Sequence, residues 1–372
     1  MSIYKIAENV YGVGVQDFGI RVFHGYETPF GATYNAYLIL DEQVTLIDTV
    51  KAPFSGMLID NIRSLVDPSA IDNVIVNHIE PDHSGALPDI VSLVPNARVF
   101  CTAAAKKGLL AYYKKQFNWQ EVKTGDFIST GKFTFSFSAT PMVHWPDNMM
   151  TYMPERKILF SNDAFGQHIA CFARFDDELG VERILERSAD YYANIVLPFG
   201  AQVQAALKAA SALNIKVIAP SHGMVWRSHT GTIVEKYAAW ARNETDANRA
   251  LVIYDTMWGT TEKLAYCLSD EYDKQGRRVE LLPLKSNHIS AVMAKLLEAR
   301  YISIGSSTLN RGVLPTVAGL LSYMRGLAPK GREGIPFGAY GWSGESAGII
   351  AENMNAMGWS VGEPVKCIYN ID

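Results

Sequence analysis

The stretch Asn77-His78-Ile79-Glu80-Pro81-Asp82-His83-Ser84-Gly85 follows the apolar run VIV at 74–76 and sets four potential metal ligands close together. A strand would send alternate side chains to opposite faces, whereas a turn held by Pro81 lets them converge. One ion could hardly accept all four. The spacing suits two adjacent ions, with His78 and Glu80 on one and Asp82 and His83 on the other. The apolar run before them reads as a short buried strand ending at the site.

Further candidates are His144 in PMVHWPD, Asp163 in FSNDAFG and His222 in APSHGMVW, each beside a Pro, Gly or Asn turn signal after an apolar stretch, and so at strand ends. An isolated histidine is ordinarily a packed or surface residue. Beside the cluster at 78–83 that reading reverses for His144 and His222, but it stands for His24, His168, His229 and His288. His168, close behind Asp163, is the best of these as a support to a ligand. Asp48, at the end of VTLID, is either a carboxylate that orients a ligating histidine or a strand-end cap. Hard carboxylate oxygens among the imidazoles favour iron or manganese, although zinc accepts the same donor types.

Outward from the cluster, 44–48, 74–76 and 216–219 read as short strands, and 55–66 and 201–213 as surface helices with apolar residues three and four apart. This is a layered mixed α/β fold. A polar stretch, WARNETDANR at 240–249, interrupts it. Beyond it strands at 250–254, 279–283, 301–306, 336–340 and 365–369 alternate with helices near 261–270, 290–299, 317–325 and 346–357, the pattern of a doubly wound parallel sheet. Two domains are expected, 1–248 and 249–372. No helix follows the last strand before the chain stops at Asn370-Ile371-Asp372.

The first strand of the second domain runs into Asp255-Thr256-Met257-Trp258-Gly259-Thr260-Thr261, a hydroxyl-rich turn entering a helix. Thr256, Thr260 and Thr261, with amides at the helix start, suit a phosphate. The Gly-Lys-Thr ending of a nucleoside triphosphate loop is absent. Ligands of such sheets sit outside the carboxyl ends of the strands, so the loops with Ser307, Thr308, Leu309 and Asn310 and with Gly341, Trp342 and Gly344 complete the site. Trp342 is suited to stack on a flat ring.

These motifs together resemble the flavodiiron proteins, also called A-type flavoproteins. The turn is similar to the His-x-His-x-Asp-His signature of the metallo-β-lactamase fold, with Glu80 at the second histidine position, and PMVHWPD, FSNDAFGQH and SHGMVWR extend the likeness. The second domain resembles flavodoxin, with Thr256 and Trp258 departing from the usual Ser-Met-Tyr-Gly turn. The resemblance implies an N-terminal metallo-β-lactamase-like αββα sandwich and a C-terminal flavodoxin-like sheet lacking its last helix. It also implies FMN and two irons: His78, Glu80 and His144 on one, Asp82, His83 and His222 on the other, Asp163 bridging. The implied activity is reduction of dioxygen to water or of nitric oxide to nitrous oxide. The implied partners are an external donor such as rubredoxin, a rubredoxin reductase or a reduced deazaflavin, and a head-to-tail homodimer or dimer of dimers.

Composition narrows the field. Lys and Arg number 34 against 38 Asp and Glu in 372 residues, a net charge of −4 without basic clusters, which argues against nucleic acid as a partner. No apolar run approaches the roughly 18 to 20 residues of a membrane span, and the N-terminus lacks a signal-peptide layout, so a cytoplasmic protein is expected. Cys101, Cys171, Cys267 and Cys367 form no Cys-x-x-Cys pair and read as buried thiols, with no thiolate metal site and no rubredoxin module. Two other readings compete: a dinuclear zinc hydrolase with a flavodoxin-like attachment, against which Glu80 and Asp163 count, and a non-enzymatic electron carrier, against which the full ligand set counts.

Overall fold

The computed structural model describes residues 3–370; Ile371 and Asp372, at the expected C-terminal stop, lie outside the described residues. The chain divides into two compact units. The first holds the chain up to His24, Thr28–Ser188 and Ala201–Ala238; the second holds Gly25–Glu27, Ala189–Gly200 and the chain from Ala239 on.

In the first unit a seven-stranded sheet runs in the order Tyr4–Ala7, Val10–Gly12, Tyr37–Ile39, Val44–Ile47, Ile71–Ile75, Arg98–Cys101, Asn118–Glu121. A five-stranded sheet runs Phe127–Ser129, Thr134–Ala139, Met149–Met153, Ile158–Asn162, Val217–Pro220. The strand TFSFSA shows why they stack: Phe135 and Phe137 alternate inward while Thr134, Ser136 and Ser138 are half-buried. These rings meet Tyr37, Ile47, Ile75 and Phe100 of the larger sheet in one core. This is the metallo-β-lactamase-like sandwich. Strands Val44–Ile47, Ile71–Ile75 and Arg98–Cys101 pair in parallel, so their carboxyl ends, and the loops that follow them, share one edge.

In the second unit the parallel sheet runs Arg278–Pro283, Asp246–Asp255, Ala299–Ser306, Glu333–Tyr340, Val365–Ile368, with the helices Thr260–Lys274, Ile289–Leu296, Pro315–Leu327 and Ser346–Ala356 between strands. This is the flavodoxin-like order. The central run ALVIY is continuously apolar because parallel strands are covered on both faces; its Ala250, Val252 and Tyr254 meet Leu264 and Ala265 of the first helix. The helix expected at 290–299 ends at Leu296, and Ala299 already belongs to the next strand, where it is buried. A short strand, Ser360–Val361, was not expected; two residues carry no readable period. Among the described residues no helix follows Val365–Ile368.

Only Cys101 is a buried thiol; Cys171 and Cys367 are half-buried and Cys267 lies exposed on helix Thr260–Lys274, so the expectation of four buried thiols is corrected. A helix alternates exposed and buried faces every few residues, and Cys267 falls on the outer one. Among the described residues no helix is long and apolar enough to cross a membrane.

Candidate metal centre and flavin loops

Strand Ile71–Ile75 ends in the loop that carries His78 and Glu80, and Pro81 opens a one-turn helix, Pro81–Ser84, that carries Asp82 and His83. Proline is suited to this first helical position, where its missing N–H has no partner to lose. The N–H and hydroxyl of Thr49 both donate to the His83 carbonyl, at 2.8 and 2.7 Å, and fasten the turn to the neighbouring strand's loop. Gly85 is needed for that approach, because a Cβ there would lie 2.4 Å from the Pro81 carbonyl and 2.5 Å from the Ala52 nitrogen.

His144 sits in the loop between Thr134–Ala139 and Met149–Met153, Asp163 directly after Ile158–Asn162, and His222 two residues after Val217–Pro220. An amide relay ties the three loops together. Asn148 Nδ2 donates to Asn162 Oδ1 at 2.7 Å, and Asn162 Nδ2 to Ser221 Oγ at 3.2 Å. Gly223 has φ +78° and a Cβ there would meet Gln167 Oε1 at 2.1 Å, which explains the Gly of SHGMVW.

The seven expected ligands come together in two groups. In the first, Nε2 of His78 lies 3.3 Å from Glu80 Oε2 and 3.6 Å from Asp163 Oδ2, and Nε2 of His144 lies 3.4 and 3.2 Å from the same two oxygens. In the second, Nε2 of His83 lies 3.4 Å from Asp82 Oδ2 and 2.9 Å from Asp163 Oδ1, and Nε2 of His222 lies 3.2 and 3.4 Å from them. Asp163 thus turns one oxygen to each group. Donor atoms held at about 2.0–2.2 Å from a shared ion stand roughly 3 to 3.6 Å from each other, which these spacings match.

The ring orientations are set from outside. Nδ1 of His78 pairs with Asp147 Oδ2 at 2.9 Å, and Nδ1 of His222 with the Thr33 carbonyl at 2.6 Å, so in both rings Nε2 faces inward. Asp48 does not orient a ligand histidine; its carboxylate accepts the Asn77 N–H at 2.7 Å and the Asn77 side-chain amide at 3.2 Å, and it shapes the loop one residue before His78. Burial pushes Asp48 up to about 6. Asp147, close to His144 in sequence, takes the orienting role because the folded loop brings it to a different strand's histidine. His24 also departs from the expectation of an ordinary packed or surface residue: its Nε2 lies 2.5 Å from Glu80 Oε1. The ring of His168 lies 4.7 Å from that of His222, edge to face. His229 pairs with Asp176, and His288 caps helix Ile289–Leu296; neither is among the grouped ligands.

The electrostatics call for cations. Both oxygens of Asp82 and of Asp163 and both ring nitrogens of His83 are buried without a hydrogen bond, an expensive arrangement for charged groups unless ions satisfy them. Burial pushes His78 down, but its hydrogen bonds to Asp147 and Glu80 and the charge of Asp163 outweigh it and raise the imidazole to about 10. His83 and His144 likewise rise to about 9 against their burial, through Asp82 and Asp163 and through Asp163 and Glu80 respectively. Burial pushes Asp163 up, yet the surrounding histidines hold it well below the carboxylate range, and Asp82 is also lowered. In the absence of ions, protons on the histidines supply the positive charge that three carboxylates demand. Divalent ions fit the same demand.

The flavin loops gather at the carboxyl ends of Asp246–Asp255, Ala299–Ser306 and Glu333–Tyr340. Met257 N–H donates to Ser307 Oγ at 3.2 Å, Thr261 Oγ1 lies 2.9 Å from the same hydroxyl, and Gly259 N–H donates to Thr256 Oγ1 at 3.1 Å. Thr260 donates to the Tyr369 carbonyl at 2.7 Å, and Thr308 Oγ1 to Ser346 Oγ at 2.9 Å. Leu309 and Asn310 lie in the tight turn closed by the Leu309 and Gly312 bridge, and Gly344 (φ +75°) lies in the loop of Gly341 and Trp342. Trp258 and Trp342 are 91% and 90% exposed. Bare indoles suit the flat ring of a flavin mononucleotide, and a hydroxyl-rich turn entering a helix suits its phosphate.

The family described as ODP family beta lactamase matches residues 32–223, and the family described as flavodoxin matches residues 252–369. The chain is 45% identical over 356 residues to a protein named nitric oxide reductase from Moorella thermoacetica, covering 94% of this chain and 89% of that one. Among solved structures, the rubredoxin oxygen:oxidoreductase of the anaerobe Desulfovibrio gigas superposes with a TM-score of 0.97 at 38% identity, covering 100% of this chain and 94% of that one. The flavodiiron protein from Giardia intestinalis superposes with a TM-score of 0.97 at 35% identity, covering 100% and 92%.

Proposed function

The chain belongs to the flavodiiron proteins, oxidoreductases that join a beta-lactamase-like domain to a flavodoxin domain, and from that premise we propose that it reduces dioxygen to water, nitric oxide to nitrous oxide, or both. The reading assigns His78, Glu80 and His144 to one iron, Asp82, His83 and His222 to the other, and Asp163 to both. It assigns the irons to residues 1–248 and the FMN to residues 249–372. The observation that carries it is the division of Asp163, whose Oδ2 faces His144 at 3.2 Å while its Oδ1 faces His83 at 2.9 Å. One carboxylate serving two groups supports a coupled pair of ions.

Irons held by these ligands would supply the redox centre for the gas, and FMN the electrons. The chain's own residues prepare that chemistry. Asp147 and the Thr33 carbonyl hold His78 and His222 in the tautomers that turn Nε2 inward. Glu80, Asp82 and Asp163 supply hard oxygen donors and three negative charges, which supports iron over softer-ligand ions. Thr256, Thr260, Thr261 and Ser307 receive the flavin phosphate, and Trp258 and Trp342 cover its ring.

Rubredoxin is the first candidate for the electron donor, since one relative is named for it, with a rubredoxin reductase or a reduced deazaflavin as alternatives. The functional unit in this reading is a cytoplasmic head-to-tail homodimer or dimer of dimers, in which the flavin of one chain serves the irons of the other. Metal and flavin analysis, followed by anaerobic turnover with each gas, tests the function. Two zincs with hydrolase turnover, in protein made with ample iron, would overturn it. Mixing His78→Ala/Asp163→Ala chains with chains unable to hold FMN tests the dimer; demonstrated exchange without recovered activity would refute it.

A further inference from the structure

The helix Gly200–Ala210 and the loops that carry His144 and Asp163 enclose a small opening lined by Val143, Ala164, Phe165, Ala206, Leu207 and Tyr237. Val143 and Ala164 are the chain neighbours of His144 and Asp163, and both are buried, as are Phe165 and Tyr237. Ala206 and Leu207 are partly exposed on the helix. The opening is therefore bounded by the outer helix on one side and by the chain neighbours of two metal ligands on the other.

Its walls are hydrocarbon, and the space they leave is small. That is room for one small guest. Water in such a site would forfeit most of its hydrogen bonds, since it needs about two to four polar partners, so an apolar void stays dry and takes apolar guests. Dioxygen and nitric oxide are small diatomics with little or no dipole, and neither needs hydrogen bonds to enter.

We propose that this opening is a docking site for an apolar diatomic gas on its way to the metal pair, an inference that rests on the gas-reductase reading above. Ala206 is the residue that keeps it open: a larger side chain at that position would project into the void, and no ligand or ligand support is itself replaced.

The test uses the intact holoprotein. Crystals pressurised with xenon are expected to hold the atom between Val143, Phe165 and Leu207 in the wild type and to lack it in Ala206→Phe. In solution Ala206→Phe is expected to lower kcat/KM for the gas by on the order of threefold or more, with kcat at saturating gas, iron content and FMN content retained. Ala205→Phe, exposed on the same helix and outside the opening, should change none of these. If Ala206→Phe does not fold, Ala206→Leu makes the same comparison with less added volume. Absence of xenon from the wild-type opening overturns the site, as does a filled variant that excludes xenon yet keeps kcat/KM. Xenon binding in a protein that turns over neither gas would instead overturn the gas-reductase reading and the role of the site with it.

Discussion

Asp147 Oδ2 lies 2.9 Å from His78 Nδ1 and accepts the Ile79 N–H at the same distance, so one buried carboxylate fixes both the ring and the backbone of the first ligand in the motif. A histidine ligand without such a partner is free to rotate and to take the wrong tautomer. Asp147→Ala should therefore weaken metal binding by about 10- to 100-fold, the usual cost of removing a ligand's support. Asp147→Asn, which can still accept from the ring, should recover part of it. Metal titration of the stripped protein checks this, and equal affinity in wild type and Asp147→Ala would show that His78 is held by something else.

The pH dependence of metal binding follows from the histidine shifts. His78 rises from 6.5 to about 10, and His83 and His144 from 6.5 to about 9. In metal-free protein these raised groups add stability that is complete below the unfolded value near 6.5 and is lost as the pH climbs through 9 to 10. Ions need the neutral imidazoles, so they must expel those protons across the same window. The gain in Tm on reconstitution should be small near pH 6 and grow steadily toward about pH 9. Calorimetry of stripped and reconstituted protein at several pH values measures it; a gain that is flat or shrinks with pH would contradict the argument.

Asp163→Ala removes the only side chain that faces both histidine groups, with its oxygens at 2.9 Å from His83 and 3.2 Å from His144 among the described residues. Two cations left facing each other without a shared anion repel, so bound iron should fall from about two ions per chain to about one or fewer. Asp163→Asn keeps the shape but not the charge and should also lose ions. Elemental analysis of both variants decides the matter, and full retention of iron with full activity would remove Asp163 from the bridging position.

Much of this site was legible because its ligands sit in turns, and turns announce themselves through Pro81, Gly85, Asn162 and Gly223 beside apolar strands. The supports were not legible for the same physical reason that they work. Asp147 acts on His78 across two strands of different sheets, and nothing in PMVHWPD says which histidine its carboxylate will meet. The Thr33 acceptor is a backbone carbonyl, a group every residue has. His24 reaches Glu80 from the short hairpin of Val22–Phe23 and Tyr26–Glu27, too brief to show a period. In the second unit the alternation of long apolar strands with amphipathic helices made the sheet readable, whereas the two-residue strand Ser360–Val361 depends on pairing with Glu333 and Gly334 that sequence does not display.

The flavin loops end in two tryptophans that the protein alone leaves almost bare, Trp258 at 91% and Trp342 at 90% exposure. Exposed indoles of this size are costly in water unless something covers them, and each stands beside a glycine, Gly259 with φ +89° and Gly341. Aromatic stacking contributes about 0.5–1.5 kcal/mol per ring, so Trp342→Ala should weaken FMN binding by roughly two- to tenfold, and Trp258→Ala by a similar factor. Neither tryptophan is one of the seven metal ligands, and iron content should stay at its wild-type value. Flavin titration of the stripped protein, followed by recovery of flavin fluorescence quenching, separates the two rings. Unchanged FMN affinity in both single variants and in the double variant would mean that neither indole covers the flavin, and that the phosphate turn of Thr256, Thr260 and Thr261 carries its binding alone.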